Sequence, residues 1–283
     1  MICTLCPRNC GAERPETAGF CGAKELKIAR ADLHFFEEPP ISGTKGSGTV
    51  FFCGCSLRCV FCQNYEVSRN EVGKAVTPAE LAQIFQNLEA KGAHNINLVT
   101  PTHYLNEIEE AFSVYQPGIP VVWNTHSYET EETVERAAKF VDIFLPDLKY
   151  FSPEISLRYA GVRDYFERAF AAIRRMRELK ADEFSGDGLM RSGVLVRHLI
   201  LPMNLDETFA ILEKLAGELP GTKLSLMSQY TPFGELAFPE LRRKITRREY
   251  ARAVGHMREL GIDGFVQELD SSGTAFIPDW DYK

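Results

Sequence analysis

The sequence predicts an α/β fold of parallel strands and covering helices, preceded by a small cysteine-rich segment. Two observations carry this. From about residue 49 to residue 260, short β-branched apolar runs alternate with amphipathic helical runs. All eight cysteines stand at or before Cys62.

The elements follow in order. Residues 1–24 hold Cys3, Cys6, Cys10 and Cys21 among prolines and glycines, with little periodicity, and residues 25–47 read as loop and lead-in. Residues 49–53, β-branched and aromatic, read as a short buried strand. Thr77 and Pro78 open a helix as cap and first helical residue; Leu81, Ile84, Phe85 and Leu88 share one face, and Gly92 ends it. Strands at 95–100, 119–124, within 141–149, at 193–202 and at 223–229 then alternate with helices at 106–114, 130–140, 164–179, 205–219 and 246–260. The last helix starts with Thr246 and Glu249, a capping-box pair, and stops at Gly261. About six such units argue for a parallel sheet and are too few for an eightfold barrel. An open barrel and a doubly wound sheet both fit. The expected division is a segment at 1–44 and a main domain at 45–283.

The formal net charge of -7 gives no general attraction to nucleic acid or to an anionic membrane. No apolar run approaches the roughly 18 residues of a membrane span, and the N-terminus lacks the pattern of a signal peptide. A cytoplasmic protein without membrane or nucleic-acid partners is expected. The arginines at 174, 175 and 177, and the basic run at 242–248, read as solvated helix faces.

Cys55, Cys59 and Cys62 follow the first strand at offsets of zero, four and seven. Carried by a loop, three such thiolates can converge on one [4Fe-4S] cluster and leave one iron open, whereas four cysteines would saturate it. An open iron can bind a cofactor or substrate. A zinc site completed by Cys53 is the alternative. Cys3, Cys6, Cys10 and Cys21 form a complete set of four, suited to zinc or to a further iron–sulfur cluster.

The run from Cys55 through Cys59 and Phe61 to Cys62, with Gly46 to Asn64 around it, resembles the radical S-adenosylmethionine (SAM) superfamily, in the branch related to pyruvate formate-lyase activating enzymes. The resemblance implies a partial (βα)6 barrel over about residues 45–270. It also implies a [4Fe-4S] cluster whose fourth iron is chelated by SAM, and reductive cleavage of SAM to a 5'-deoxyadenosyl radical that abstracts hydrogen. Phe61 would pack near the adenine. The substrate would be a glycine of a glycyl radical enzyme, with a small molecule or a peptide as the second reading. The electron would come from a reductant such as flavodoxin or ferredoxin. A zinc–thiolate interaction protein is the non-catalytic alternative. Relatives of the activating enzymes also carry the N-terminal cysteine pattern.

The polar ends of the later strands supply the remaining candidates. Thr100 and Thr102 stand where many family members have a glycine-glycine-glutamate-proline motif; this sequence departs from it, and hydroxyls and backbone would substitute in meeting SAM. His103 and His126 are candidate substrate contacts, and Asn124 and Ser127 candidate SAM contacts. Asp147 and Lys149 resemble the activating enzymes' Asp-x-Lys motif, whose groups lie near SAM. Of the adjacent pair Arg197 and His198, only one need face the interior; the resemblance favours His198 near the SAM ribose, with Arg197 paired outward or the assignment reversed. Gln229 and Gln267 close later strands and would line the far end of the cavity.

Overall fold

The structure, a computed structural model, describes residues 2–269. Among the described residues ten strands and nine α-helices are formed, and the strands make one sheet: β1 (Lys27–His34), β2 (Ser47–Phe52), β3 (Lys74–Ala75), β4 (Ile96–Val99), β5 (Val121–Thr125), β6 (Ile143–Pro146), β7 (Glu183–Phe184), β8 (Met190–Leu199), β9 (Lys223–Met227) and β10 (Gly264–Val266). The helices are α1 (Pro39–Ser42), α2 (Tyr65–Ser68), α3 (Pro78–Ala90), α4 (Leu105–Val114), α5 (Glu131–Ala137), α6 (Pro153–Ala160), α7 (Tyr165–Leu179), α8 (Leu205–Glu218) and α9 (Arg247–Glu259).

From β2 to β10 the parallel neighbours run in chain order, β2-β4-β5-β6-β8-β9-β10. A doubly wound sheet needs a reversal of strand order, and there is none here. Sequential order with right-handed crossovers puts every crossover helix on one face of the sheet. The helices pack there as neighbours, α3 on α4, α5 on α7 and α8 on α9. The capping box predicted at Thr246 and Glu249 forms, and the predicted Thr77 cap proves to be a capping box too, with Glu80.

Residues 25–47 are more ordered than the lead-in expected. β1 pairs antiparallel with β2 and carries β3 on its other side, so the sheet's far edge is built from the N-terminal half of the chain. Arg30 and Asp32 break its apolar pattern, and its register shifts between Ile28 and Arg30, which hides the strand from a period-two reading.

The two sheet faces differ in kind. Phe52, Leu98, Trp123, Phe144, Val196 and Leu226 belong to the large core beneath the helices. On the other face Val122, Ile143, Leu145 and Leu195 meet Ile41 of α1 and Met190 in a small second core. Two residues further along these strands, the same face turns polar at Asn124, Asp147 and Arg197. The apolar plug therefore sits at the strand starts, and the chemistry collects at their carboxyl ends, where parallel sheets usually carry active sites.

Candidate active site

Between β2 and α2 the chain makes the loop that carries the cysteine triplet. Gly54 takes φ +90 and lies against the Cys21 carbonyl, which leaves no room for a Cβ. Arg58 takes φ +50, turning the loop back on itself. Cys55, Cys59, Phe61 and Cys62 all line one cavity of about 220 Å³. Cys53 does not: its thiol donates to the Val72 carbonyl at 3.2 Å, so it is not in place to complete a zinc site. Burial raises all three thiols, Cys55 to about 11 with Cys59 adding to the effect. Backbone N–H groups oppose this, those of Leu57 and Arg58 toward Cys55 and that of Asn64 toward Cys62.

Thr100, Asn124, His126, Asp147, Lys149 and Gln229 line the same cavity. Thr100 has φ +56 and donates its N–H to the Asn124 carbonyl, joining β4 to β5. His126 accepts the Tyr128 N–H at Nδ1, so its proton sits on Nε2, which faces the Ser56 hydroxyl at 2.9 Å. Burial holds this ring neutral, lowered to about 3. Lys149 Nζ stands 2.5 Å from Asp147 Oδ2.

Arg197, not His198, faces the cavity. Its guanidinium meets Asp147 Oδ1 at 2.7 Å, Asn124 Oδ1 at 2.6 Å, Glu37 Oε2 at 3.1 Å and Glu38 Oε2 at 3.7 Å. A buried arginine requires such partners. Burial alone would raise Asp147, but Arg197 and Lys149 outweigh it and hold the carboxyl below its ordinary range. Burial pushes Glu38 up to about 7 in spite of Arg197. His198 lies on the helix side, where Nδ1 donates to the Leu148 carbonyl at 2.6 Å and Nε2 accepts from Thr208 of α8. It braces the Asp147–Lys149 segment from behind.

Four other candidates also lie outside the cavity lining. Thr102 donates to Glu129 Oε1 at 2.6 Å. His103 Nε2 donates to the Cys53 carbonyl at 2.8 Å, under the N-terminal segment. Ser127, at φ +65, uses its N–H to reach Thr125 Oγ1. The backbone carbonyl of Gln267 accepts from Tyr250. The Thr102 and His103 side chains are thus spent on packing contacts.

Sequence reasoning missed four supporting residues. Glu37 and Glu38 belong to a segment read as loop. Glu129, fully enclosed, accepts from Thr102, Trp123 and Thr125 and ties the β4 and β5 ends together. Tyr165 of α7 puts its hydroxyl within 3.0 Å of the His126 and Asp147 carbonyls and accepts the Lys149 N–H. An acidic pair before Pro39 and a lone Glu after a strand end were the only traces in sequence.

The N-terminal segment docks on the triplet loop. Cys55 donates its N–H to the Cys21 carbonyl at 3.2 Å. Arg8 reaches the carbonyls of Ser56, Ala160 and Gly161 at 2.7, 2.6 and 2.9 Å, while Thr133 holds the Leu5 carbonyl. Burial pushes Cys6 up to about 12 and also raises Cys21, and the nearby charges of Cys3 and Cys10 add to both. Here too N–H groups two residues on favour the thiolate: Arg8 for Cys6, Ala12 for Cys10 and Ala23 for Cys21. Among the described residues, no three His, Cys, Asp or Glu side chains are drawn tightly enough together to hold a single metal ion.

With this geometry in place, the comparisons with known proteins decide the family. The sequence profile of the Radical SAM superfamily matches residues 49–216, more than half of the chain, and spans the triplet and the strand ends from β4 to β8. The chain belongs to the radical SAM superfamily. An uncharacterised protein of Methanocaldococcus jannaschii is 31% identical over 272 residues, covering 92% of this chain and 75% of that protein. A radical SAM methyltransferase from Sphaerobacter thermophilus has a similar fold, with a TM-score of 0.53 at 15% identity, over 79% of this chain and 68% of that one. A domain of a pyruvate-formate lyase-activating enzyme from Bacteroides vulgatus matches with a TM-score of 0.41 at 13% identity, over 68% of this chain and 91% of that one; at that score it carries no argument.

Membership in the radical SAM superfamily implies a [4Fe-4S] and SAM site, and the residues fit one. Three thiols share one cavity wall, each at a cost in deprotonation that a cationic cluster would remove. A four-iron cluster spreads its thiolates more widely than one zinc ion does, so thiols around a cavity suit it better than thiols gathered on a point. The rest of the cavity lining includes the cationic and polar side chains of Lys149, Arg197, Asn124 and Thr100 and no further cysteine. Among the described residues no helix is long and apolar enough to cross a membrane.

Proposed function

We propose that this protein is a radical SAM enzyme that abstracts a hydrogen atom from a substrate held beside Lys149 and Arg197, within a partial (βα)6 barrel. The observation that carries the reading is the shared cavity: the cysteine triplet, Phe61 and the polar ends of β4, β5 and β6 line one space. Cys55, Cys59 and Cys62 would hold the cluster. Bound there, the cluster and SAM supply a 5'-deoxyadenosyl radical. Lys149, neutralised on one side by Asp147, would meet a carboxylate of SAM. Asn124, Thr100 and backbone groups of the β4 and β5 ends would meet its other polar groups, and Phe61 would cover the adenine. Glu129 and Tyr165 hold these strand ends in place without lining the cavity, which is the preorganisation such chemistry needs.

For the substrate, the activating-enzyme reading is a glycine of a glycyl radical enzyme. Glu37 and Arg197 in the cavity lining favour the second reading, a small polar molecule or peptide, because a glycine backbone has no charge for those groups to meet. The N-terminal cysteines would hold zinc or a further iron–sulfur cluster and brace the triplet loop. The test is anaerobic: the reconstituted protein with dithionite and SAM should release methionine and 5'-deoxyadenosine. A brown, SAM-binding protein that releases neither would refute the reading. Formation of a glycyl radical on an added partner, followed by EPR, separates the two substrate classes.

A further inference from the structure

The Tyr150 hydroxyl stands 3.0 Å from Cys59 Sγ, and the ring is fully buried. Tyr150 directly follows Lys149 of the cavity wall. Its ring packs edge-on against Phe61 and Tyr165, with centroids 6.3 and 5.0 Å away, and lies 6.2 Å from Tyr159. Tyr159 and Tyr165 come from α6 and α7, and the Tyr165 hydroxyl clamps Lys149 N and the Asp147 carbonyl. The phenol is thus locked on both faces with its hydroxyl aimed at one sulfur. A buried hydroxyl without a partner would cost free energy, and here its partner is the ligand sulfur.

The direction of this hydrogen bond follows from the chemistry. A cysteine bound to iron has no proton to give, so the phenol O–H must donate to the sulfur. Reduction adds one negative charge, shared by the cluster and its thiolates. A donor to a thiolate sulfur stabilises the reduced form more than the oxidised form. The surrounding rings exclude water, which would otherwise screen the effect.

We propose that Tyr150 is a positioning residue that sets the reduction potential of the cluster through its hydrogen bond to Cys59, making the cluster easier to reduce. The proposal rests on the cluster reading above. It assigns Tyr150 no contact with SAM or substrate and no proton transfer.

The test uses the full chain, reconstituted anaerobically without SAM. Iron content and midpoint potential, the latter by EPR-monitored redox titration, are compared for wild type, Tyr150→Phe and Tyr159→Phe. Phe keeps the buried ring and removes only the hydroxyl. Tyr159 is an equally buried neighbour whose hydroxyl bonds to Glu240 instead of a cluster sulfur. The expected result is unchanged iron in all three and, in Y150F alone, a lower potential, with the reduced-to-oxidised ratio at fixed potential falling about tenfold, which is 59 mV for a one-electron couple. An unchanged potential in Y150F with full iron content would overturn the proposal. So would equal shifts in both variants, which would trace the potential to packing, or iron loss in Y150F, which would make the hydroxyl a requirement for holding the cluster rather than for setting its potential. Wild type that takes up no iron would instead overturn the cluster reading, and the proposal with it.

Discussion

The two cysteine sets are built from the same local device and placed in opposite settings. In both, backbone N–H groups two residues beyond a cysteine favour its thiolate, Leu57 and Asn64 in the triplet loop and Arg8, Ala12 and Ala23 in the N-terminal segment. The triplet, however, hangs from a parallel strand end and faces a cavity, one cysteine short of a full set. The N-terminal set has four cysteines, lies in a segment without regular strands or helices, and keeps Cys10 exposed. An incomplete set beside a polar cavity can do chemistry at its open position; a complete one can only anchor or relay. Their contact, from Cys55 N–H to the Cys21 carbonyl with Arg8 alongside, makes the second set a brace for the first.

The largest expected effect separates the two sets outright. Cys59→Ala should abolish both the SAM-binding cluster and reductive cleavage of SAM; residual 5'-deoxyadenosine release would break the assignment of the triplet. Cys6→Ala should disturb the N-terminal metal while leaving cleavage within about tenfold of wild type, under about 1.4 kcal/mol of barrier. Complete loss of cleavage in a folded C6A protein would mean that the sets are coupled in the reaction itself.

Smaller effects sharpen the idea of a brace. Arg8→Gln removes charged hydrogen bonds to three carbonyls and should cost about 3 kcal/mol in anaerobic urea unfolding. An unchanged midpoint would mean that the N-terminal segment does not hold the loop. His198 tests the brace behind Lys149 by pH. Burial lowers His198 to about 4, below the ordinary histidine value, so the unfolded chain binds the extra proton first. Its contribution is therefore complete above pH about 6.5 and shrinks as pH falls toward about 4, roughly 2 kcal/mol between pH 7 and pH 5. His198→Gln should flatten that part of the stability profile; identical slopes in the two proteins would count against a neutral buried ring.

Much of the fold was legible because it is periodic. The alternation of strands and helices, the Thr77 and Thr246 caps and the position of the triplet after β2 all follow from local patterns. What stayed hidden depends on facing. Arg197 and His198 are adjacent polar residues in an otherwise apolar strand, and alternation says that one points inward without saying which. The structure decides it through Glu37 and Glu38, which enter from a segment with no strand pattern of its own. Thr102 and His103 sit after a strand end, as candidates should, yet beyond the positive φ at Thr100 their side chains go to Glu129 and the Cys53 carbonyl instead of the cavity. Tyr150 gives no signal of its own, because nothing in sequence says that its hydroxyl reaches a sulfur 91 residues earlier.

The central claim is that Cys55, Cys59 and Cys62 hold a cluster with one iron open to SAM. Anaerobic reconstitution of the full chain, with iron, zinc and sulfide counts and EPR spectra recorded with and without SAM, tests it most directly. About four irons with one zinc, about eight irons, or about four irons alone would also tell whether the N-terminal set holds zinc, a further cluster or no metal. The account predicts a brown protein whose reduced-cluster signal changes when SAM is added. A colourless protein, or a cluster whose signal ignores SAM, would contradict it.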